Sequence, residues 1–230
     1  MGVSQRELVK RFFTGTGPSY DFMVHFGTAG SDWFWKKRIL SHVPADSKRV
    51  LDLACGTGIL TFGIARKLPD ARVIGVDITK EYLDIALEKL QKLNLSHVEF
   101  IHKGAEDAFY DEPFDCVTAS YLAKYADLDI LTKNVHGMLK PGGVFVMHDF
   151  TYPSNPVIGA LWEFYFKLQQ TIGILFYPKW RTIYKELPVL LRKTNWITEL
   201  TAALKNSGFE DIKVESLTLG GAAIVTARKI

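Results

Sequence analysis

Cysteine is scarce in this 230-residue sequence, with Cys55 and Cys116 the only two. One stands in a glycine loop and the other in an apolar run, which gives neither a disulfide framework nor the paired spacing of a metal site. Both read as small buried fillers in a protein of a reducing compartment. Charge of one sign is scarce too: 28 Lys and Arg against 25 Asp and Glu leave a net +3. No basic run of the kind that neutralises phosphates occurs, so nucleic acid is not an expected partner. A transmembrane helix is not expected, because the most apolar segment, 157–180, is interrupted by Glu163, Lys167, Gln169 and Gln170. Residues 1–10 are polar and carry no export-signal core, so a cytoplasmic location is expected. Repeats and low-complexity stretches are absent as well. What remains is a chain with 47% hydrophobic residues, enough for the core of one α/β domain.

Hydrophobic periodicity orders the elements. Arg49 to Ala54 is a short apolar run ending at glycines, and Gly58 to Leu68 then places Leu60, Ile64, Ala65 and Leu68 at helical spacing. Arg72 to Asp77 reads as a second buried strand, and Thr79, the expected N-cap, opens a helix to Leu93. Strands follow at 97–102 and 114–119, a helix at 128–139, and a strand at 143–149 introduced by the turn Lys140-Pro141-Gly142-Gly143. Helix 195–206 and strands 211–218 and 222–228 close the chain as a hairpin around Gly220-Gly221. Such alternation predicts a Rossmann-like, doubly wound, mostly parallel seven-stranded sheet with a C-terminal antiparallel hairpin and helices on both faces. One domain over 1–230 is expected, with a helical cap at 1–45. A helical, aromatic insertion at 151–193 is read as helices laid over the ligand-binding edge.

Asp52-Leu53-Ala54-Cys55-Gly56-Thr57-Gly58 stands where a doubly wound sheet binds a nucleotide, at the carboxyl end of its first strand. A Walker phosphate loop would need Gly-Lys-Ser/Thr, and none occurs. A dinucleotide fingerprint would need a third glycine where Thr61 stands, although Gly63 is nearby, so a nicotinamide cofactor is disfavoured without being excluded. Small residues at Ala54, Gly56 and Gly58 let backbone approach a nucleoside, and Asp77 can accept hydrogen bonds from both hydroxyls of a ribose. S-adenosylmethionine, which carries no phosphate, is the preferred ligand. A tight turn without ligand is the plainer alternative.

At these residues the sequence resembles class I S-adenosylmethionine-dependent methyltransferases, and more narrowly the ubiquinone/menaquinone biosynthesis C-methyltransferase family. The similarity runs from Ser19-Tyr-Asp-Phe-Met23 and Trp35-Lys-Lys-Arg38 through Val50–Gly58, Gly75-Val-Asp77 and Phe114–Ser120. It continues through Met138-Leu-Lys-Pro-Gly-Gly143 to Leu217-Thr-Leu-Gly-Gly221. The resemblance implies a cofactor set of Tyr20, Asp52, Ala54, Gly56, Thr57, Gly58, Asp77, Ile78, Gly104, Ala105 and Ser120, with no metal. Two departures stand out. Gly104 replaces an Asn or Asp that reaches the adenine, leaving Glu106 or Asp107 to supply an acceptor. Ala123-Lys124-Tyr125 replaces Leu-Arg-Asn, exchanging a planar bidentate donor for a point charge.

Methyl transfer needs alignment of nucleophile and methyl in a water-poor site more than it needs a catalytic side chain. A phenolic acceptor still benefits from losing its proton, and His148 and Asp149 at the end of the fifth strand, with Lys124 and Tyr125, are the candidate catalytic residues. Strand alternation lets only one of His148 and Asp149 face the pocket. The aromatic 157–180 segment suits a small, apolar aromatic acceptor such as a demethylated quinol, methylated at carbon. Another O, N or S nucleophile, or a non-catalytic cofactor-binding module, are the alternatives. Peripheral membrane contact and a homodimer are left open.

Overall fold

The computed structural model describes residues 5–230, so the first four residues of the expected cap lie outside the described residues. The rest of the cap is three helices, α1 (Gln5–Phe13), α2 (Tyr20–Gly27) and α3 (Ser31–His42). The alternating region then runs β1 (Arg49–Leu53), α4 (Ile59–Lys67), β2 (Arg72–Asp77), α5 (Lys80–Leu93), β3 (Val98–His102), β4 (Phe114–Ser120), α6 (Leu128–Met138) and β5 (Leu139–Phe150). Two helices, α7 (Pro156–Phe176) and α8 (Arg181–Lys193), precede α9 (Trp196–Asn206), β6 (Phe209–Leu217) and β7 (Ala222–Lys229).

The sheet order is β3-β2-β1-β4-β5-β7-β6. β1 to β5 are parallel, and β7 enters antiparallel between β5 and β6. Strand order therefore reverses between β1 and β4, and the crevice beyond the carboxyl ends of such strands is where an open α/β sheet takes its ligand. Both faces are covered, as parallel strands require. Leu51, Leu53, Val117, Phe145 and Met147 pack with α6 and α9 on one face, while Val50, Val73, Cys116, Val144 and Val146 pack with α3 and α4 on the other. A third cluster, Phe12, Met23, Tyr125, Trp180, Ile183 and Tyr184, ties the cap to α8 over the ligand edge. Among the described residues, no helix is long and apolar enough to cross a membrane.

One local expectation holds in position though not in its side-chain bond, and a second needs correction. Thr79 occupies the N-cap position of α5, but its side chain makes no capping bond. Its backbone N–H instead donates to Asp77 Oδ1 at 2.7 Å, so the carboxylate at the end of β2 does the work of a cap. The Lys140–Gly143 turn lies inside β5 rather than before it: Leu139 already pairs with Phe114, and the ladder resumes at Cys116 and Val144 after a register shift. Gly142, at φ +77°, absorbs the extra residues as a bulge.

Candidate active site

At the end of β1 the backbone turns sharply, with Ala54, Gly56 and Gly58 all at positive φ (52°, 57° and 84°). The two glycines serve different needs. A Cβ on Gly58 would stand 2.7 Å from the Phe62 ring, so this position closes the turn onto α4. A Cβ on Gly56 would meet nothing nearer than 3.8 Å, because it would project into a cavity beside Tyr82 and Tyr20. Gly56 N–H donates to Asp77 Oδ2 at 2.8 Å, which joins the loop to the end of β2. Burial pushes the Asp77 carboxyl up.

That cavity, about 710 Å³ with its mouth included, is lined by Tyr20, Ala54, Gly56, Asp77, Ile78, Gly104, Ala105 and Ser120, together with Phe13, Tyr82, Tyr121 and Tyr125. Of the eleven residues of the expected cofactor set, the structure gathers these first eight around it. Asp52, Thr57 and Gly58 are not on its wall. Asp52 and Thr57 border a smaller recess behind the loop, with Asp32, Lys36 and Ser120. Asp52 is pinned by Thr61 (2.7 Å) and Thr118 (2.8 Å), its register partner across β4, and burial pushes its carboxyl up to about 6. Thr57 donates to Asp21, which also receives Lys89 Nζ. At Gly104 the space of a side chain is taken by the Asp107 carboxylate, 2.8 Å from where a Cβ would be, but both its oxygens are held by Arg6 at 2.7 Å. Glu106 lines the cavity and accepts the Asp127 backbone N–H. The wall thus combines a carboxylate at a strand end, exposed loop backbone and aromatic faces, a donor set that fits a nucleoside joined to an amino acid.

A second cavity, about 800 Å³, lies against the first and shares Phe13, Tyr20, Tyr121 and Tyr125 with it. Its outer wall comes from α7 and α8: Trp162, Tyr165, Phe166, Ile183, Tyr184 and Leu187. Among the described residues its one charged wall residue is Lys124, whose side chain is 1% exposed and forms an ion pair with the fully buried Asp149. Nζ stands 4.7 Å from the ring centre of Tyr125 and 5.8 Å from that of Tyr121, the rings shared by both cavities. Burial lowers the Lys124 pKa, against the pull of Asp149.

Neither of the two β5 candidates lines a large cavity, and the alternation along the strand sends them to opposite sides. Asp149 turns to Lys124, while His148 turns to the opposite sheet face, between Trp35 and Tyr121, and lies on the wall of neither large cavity. Its Nδ1 is 2.9 Å from Ser120 Oγ, its register partner, which also receives Lys36 Nζ at 2.7 Å. Burial drives the imidazole well below its usual pKa, so it is neutral, and Nε2 has no hydrogen-bond partner among the described residues. Sequence reasoning missed Tyr121, which lines all three spaces. It holds φ +63°, rare for a bulky residue, with its hydroxyl on Asp32 and its ring stacked 4.8 Å from Phe150. Its place directly after β4, beside Ser120, was the available signal.

The model of the ubiE/COQ5 methyltransferase family matches residues 1–229. A demethylmenaquinone methyltransferase of Lactobacillus johnsonii is 32% identical over 223 residues, covering 94% of this chain and 90% of the relative. One from Chlorobaculum parvum is 30% identical over 97% of this chain and 93% of its own. Among solved structures, a phosphoethanolamine N-methyltransferase 2 of Haemonchus contortus, in complex with S-adenosyl-L-methionine, superposes with a TM-score of 0.70 at 18% identity. It covers 99% of this chain, which spans 60% of that longer one, and the likeness is one of fold. A match along nearly the whole length, with relatives at this identity, means that the chain belongs to the ubiE/COQ5 methyltransferase family and is an S-adenosylmethionine-dependent methyltransferase.

Proposed function

We propose that the chain methylates a ring carbon of a lipophilic quinol of the demethylmenaquinol type. The observation that carries this reading is the aromatic second cavity, joined to the first through shared rings and holding the buried Lys124–Asp149 pair at that junction. The names of the relatives support the same acceptor class. Asp77, Ile78 and Ala105 would hold the nucleoside, the Ala54 and Gly56 backbone its approach side, and Tyr20 and Ser120 the amino-acid end. Bound there, S-adenosylmethionine supplies a methyl carbon already activated by its sulfonium charge.

The chain's own contribution is to place and activate the acceptor. The aromatic walls exclude water and hold a flat ring by its faces. A quinol carbon attacks better once the ring hydroxyl has given up its proton; Lys124 rests as the ammonium of its pair with Asp149, and burial, which lowers its pKa, eases the proton loss that leaves an amine able to take it. Lys124 Nζ accepts the hydroxyl proton and, as the ammonium, donates back to the phenolate oxygen. The ring carbon would take the methyl as the carbon–sulfur bond breaks, its electron pair left on sulfur in the neutral thioether S-adenosylhomocysteine, and would then lose its own hydrogen as a proton to solvent, restoring aromaticity. Asp149 has no access to the cavity except through Lys124, so it is a positioning residue. A cytoplasmic location accords with Cys55 and Cys116 both being free and buried.

The test is incubation with methyl-labelled S-adenosylmethionine and a reduced, short-chain demethylmenaquinol, followed by mass spectrometry and NMR of the product. Label on a ring carbon is expected. Label on oxygen would transfer the reading to an O-methyltransferase, and no product with this acceptor alongside turnover of another nucleophile would remove the quinol.

A further inference from the structure

Helix α7 is apolar on two faces. Trp162, Tyr165 and Phe166 on its inner side line the second cavity. On the opposite side Val157, Leu161, Phe164, Leu168 and Leu175, spaced by three, four and seven residues, form one stripe and are between 48% and 75% exposed. A surface helix of a globular protein keeps its outward face polar, and an exposed apolar stripe of this length marks an interaction surface.

The exposed charges of the same segment favour one kind of partner. Within 151–193 there are six Lys and Arg against two Glu. Glu163 is taken up by Arg192 and Glu186 by Arg11 of the cap. Lys167, Lys179, Arg181, Lys185 and Lys193 are five further cations, all exposed. Apposing this surface on a second copy would bring like charges together, whereas an anionic surface neutralises them.

We propose that the outer face of α7 docks on an anionic lipid bilayer, its apolar stripe sunk to the acyl boundary and the α7–α8 cations on the headgroup phosphates. The choice of a bilayer rests in part on the reading of an apolar acceptor: a helix about 10 Å wide then separates the acceptor's cavity from the phase in which such a molecule dissolves.

The full-length protein is floated with phosphatidylcholine vesicles, with or without 30% phosphatidylglycerol. Co-flotation with the anionic vesicles is expected, falling at least roughly fivefold without phosphatidylglycerol or when salt rises from about 50 to about 500 mM, where screening is strong. Leu161→Gln/Phe164→Gln and, separately, Lys167→Glu/Lys185→Glu should each lose flotation while keeping the melting temperature and turnover of a water-soluble short-chain acceptor. Wild-type protein that stays at the bottom of the gradient with anionic vesicles overturns the proposal. So does a concentration-dependent dimer abolished by the stripe variant, in a protein that ignores vesicles. Vesicle binding without methylation of any quinol would instead remove the proposed acceptor and leave the docking surface standing.

Discussion

Lys124 is a charged side chain with 1% of its surface exposed, and it keeps that place because Asp149 is buried with it. Removing one partner of such a pair leaves the other as an uncompensated charge. Lys124→Met is therefore expected to cost about 3–5 kcal/mol in denaturant unfolding, and Lys124→Met/Asp149→Leu to recover most of it. Neither variant should recover turnover, which is expected to fall by roughly 10²–10⁴, the usual weight of a general base. Because burial lowers the Lys124 pKa, kcat should rise with pH along a limb below the ordinary lysine value of about 10.4. A limb that persists in Lys124→Met would place the base elsewhere. Lys36 poses a second question at this scale, since its ammonium reaches Ser120 and lies 4.4 Å over the Tyr121 ring in the recess behind the glycine loop. If it meets the cofactor's carboxylate, Lys36→Met should weaken S-adenosylhomocysteine by roughly tenfold or more. 5′-Methylthioadenosine, which lacks the amino-acid end, should bind as before, and equal weakening of both ligands in a calorimetric titration would count against that contact.

At the scale of elements, the acceptor cavity depends on how closely α7 and α8 approach. A Cβ on Gly173 of α7 would lie 2.5 Å from the Tyr184 ring of α8, which lines the cavity. Gly173→Ala must push the helices apart and is expected to cost about 1–3 kcal/mol in thermal or denaturant unfolding. KM for the acceptor should rise, while the cofactor dissociation constant stays put; a change confined to the cofactor would separate α7 from the acceptor. Helix α8 was the hardest element to anticipate. Pro188 lies inside it, removing one backbone donor in the middle of what would otherwise read as a helical pattern. The start of α7, by contrast, carried a plain signal one residue before the expected Val157: Asn155 caps the Val157 and Ile158 N–H groups, and Pro156 takes the first turn, where a missing N–H costs nothing.

For the molecule as a whole, we propose that the cap at 1–45, the sheet and the 151–193 insertion form one cooperative domain. Two cores flank the sheet, and the third joins Phe12 and Met23 of the cap to Ile183 and Tyr184 of α8. Buried groups make its stability depend on pH in opposite directions. His148 stays neutral when folded, whereas the unfolded chain binds a proton there below about pH 6.5, so acidification favours unfolding by up to about 1.4 kcal/mol per pH unit. Asp52, raised to about 6, binds its proton more readily when folded and gains stability as pH falls from about 6 towards 4. His148→Asn should therefore lose less stability than the wild type between pH 6.5 and 5, with tryptophan fluorescence and far-ultraviolet dichroism reporting a single transition at each pH. Parallel pH profiles would remove His148 from the acid limb, and separated transitions would divide the domain.

The sequence by itself determined the order of strands and helices, the glycine loop, Asp77 and the family, since each rests on local periodicity, turn chemistry or a contiguous motif. It left a non-catalytic module open, which family membership removed. Only the tertiary structure decided which of those residues face one space. Eight of the expected cofactor positions line the first cavity, while Asp52 and Thr57 are held behind the loop by partners from β4, α4 and the cap. It also divided His148 from Asp149, gave Asp149 to Lys124, and brought Tyr121 to the junction of the two cavities. The physical reason is that register across β4 and β5, and the direction in which α7 and α8 return over the sheet, are set by long-range packing that no window of neighbouring residues contains.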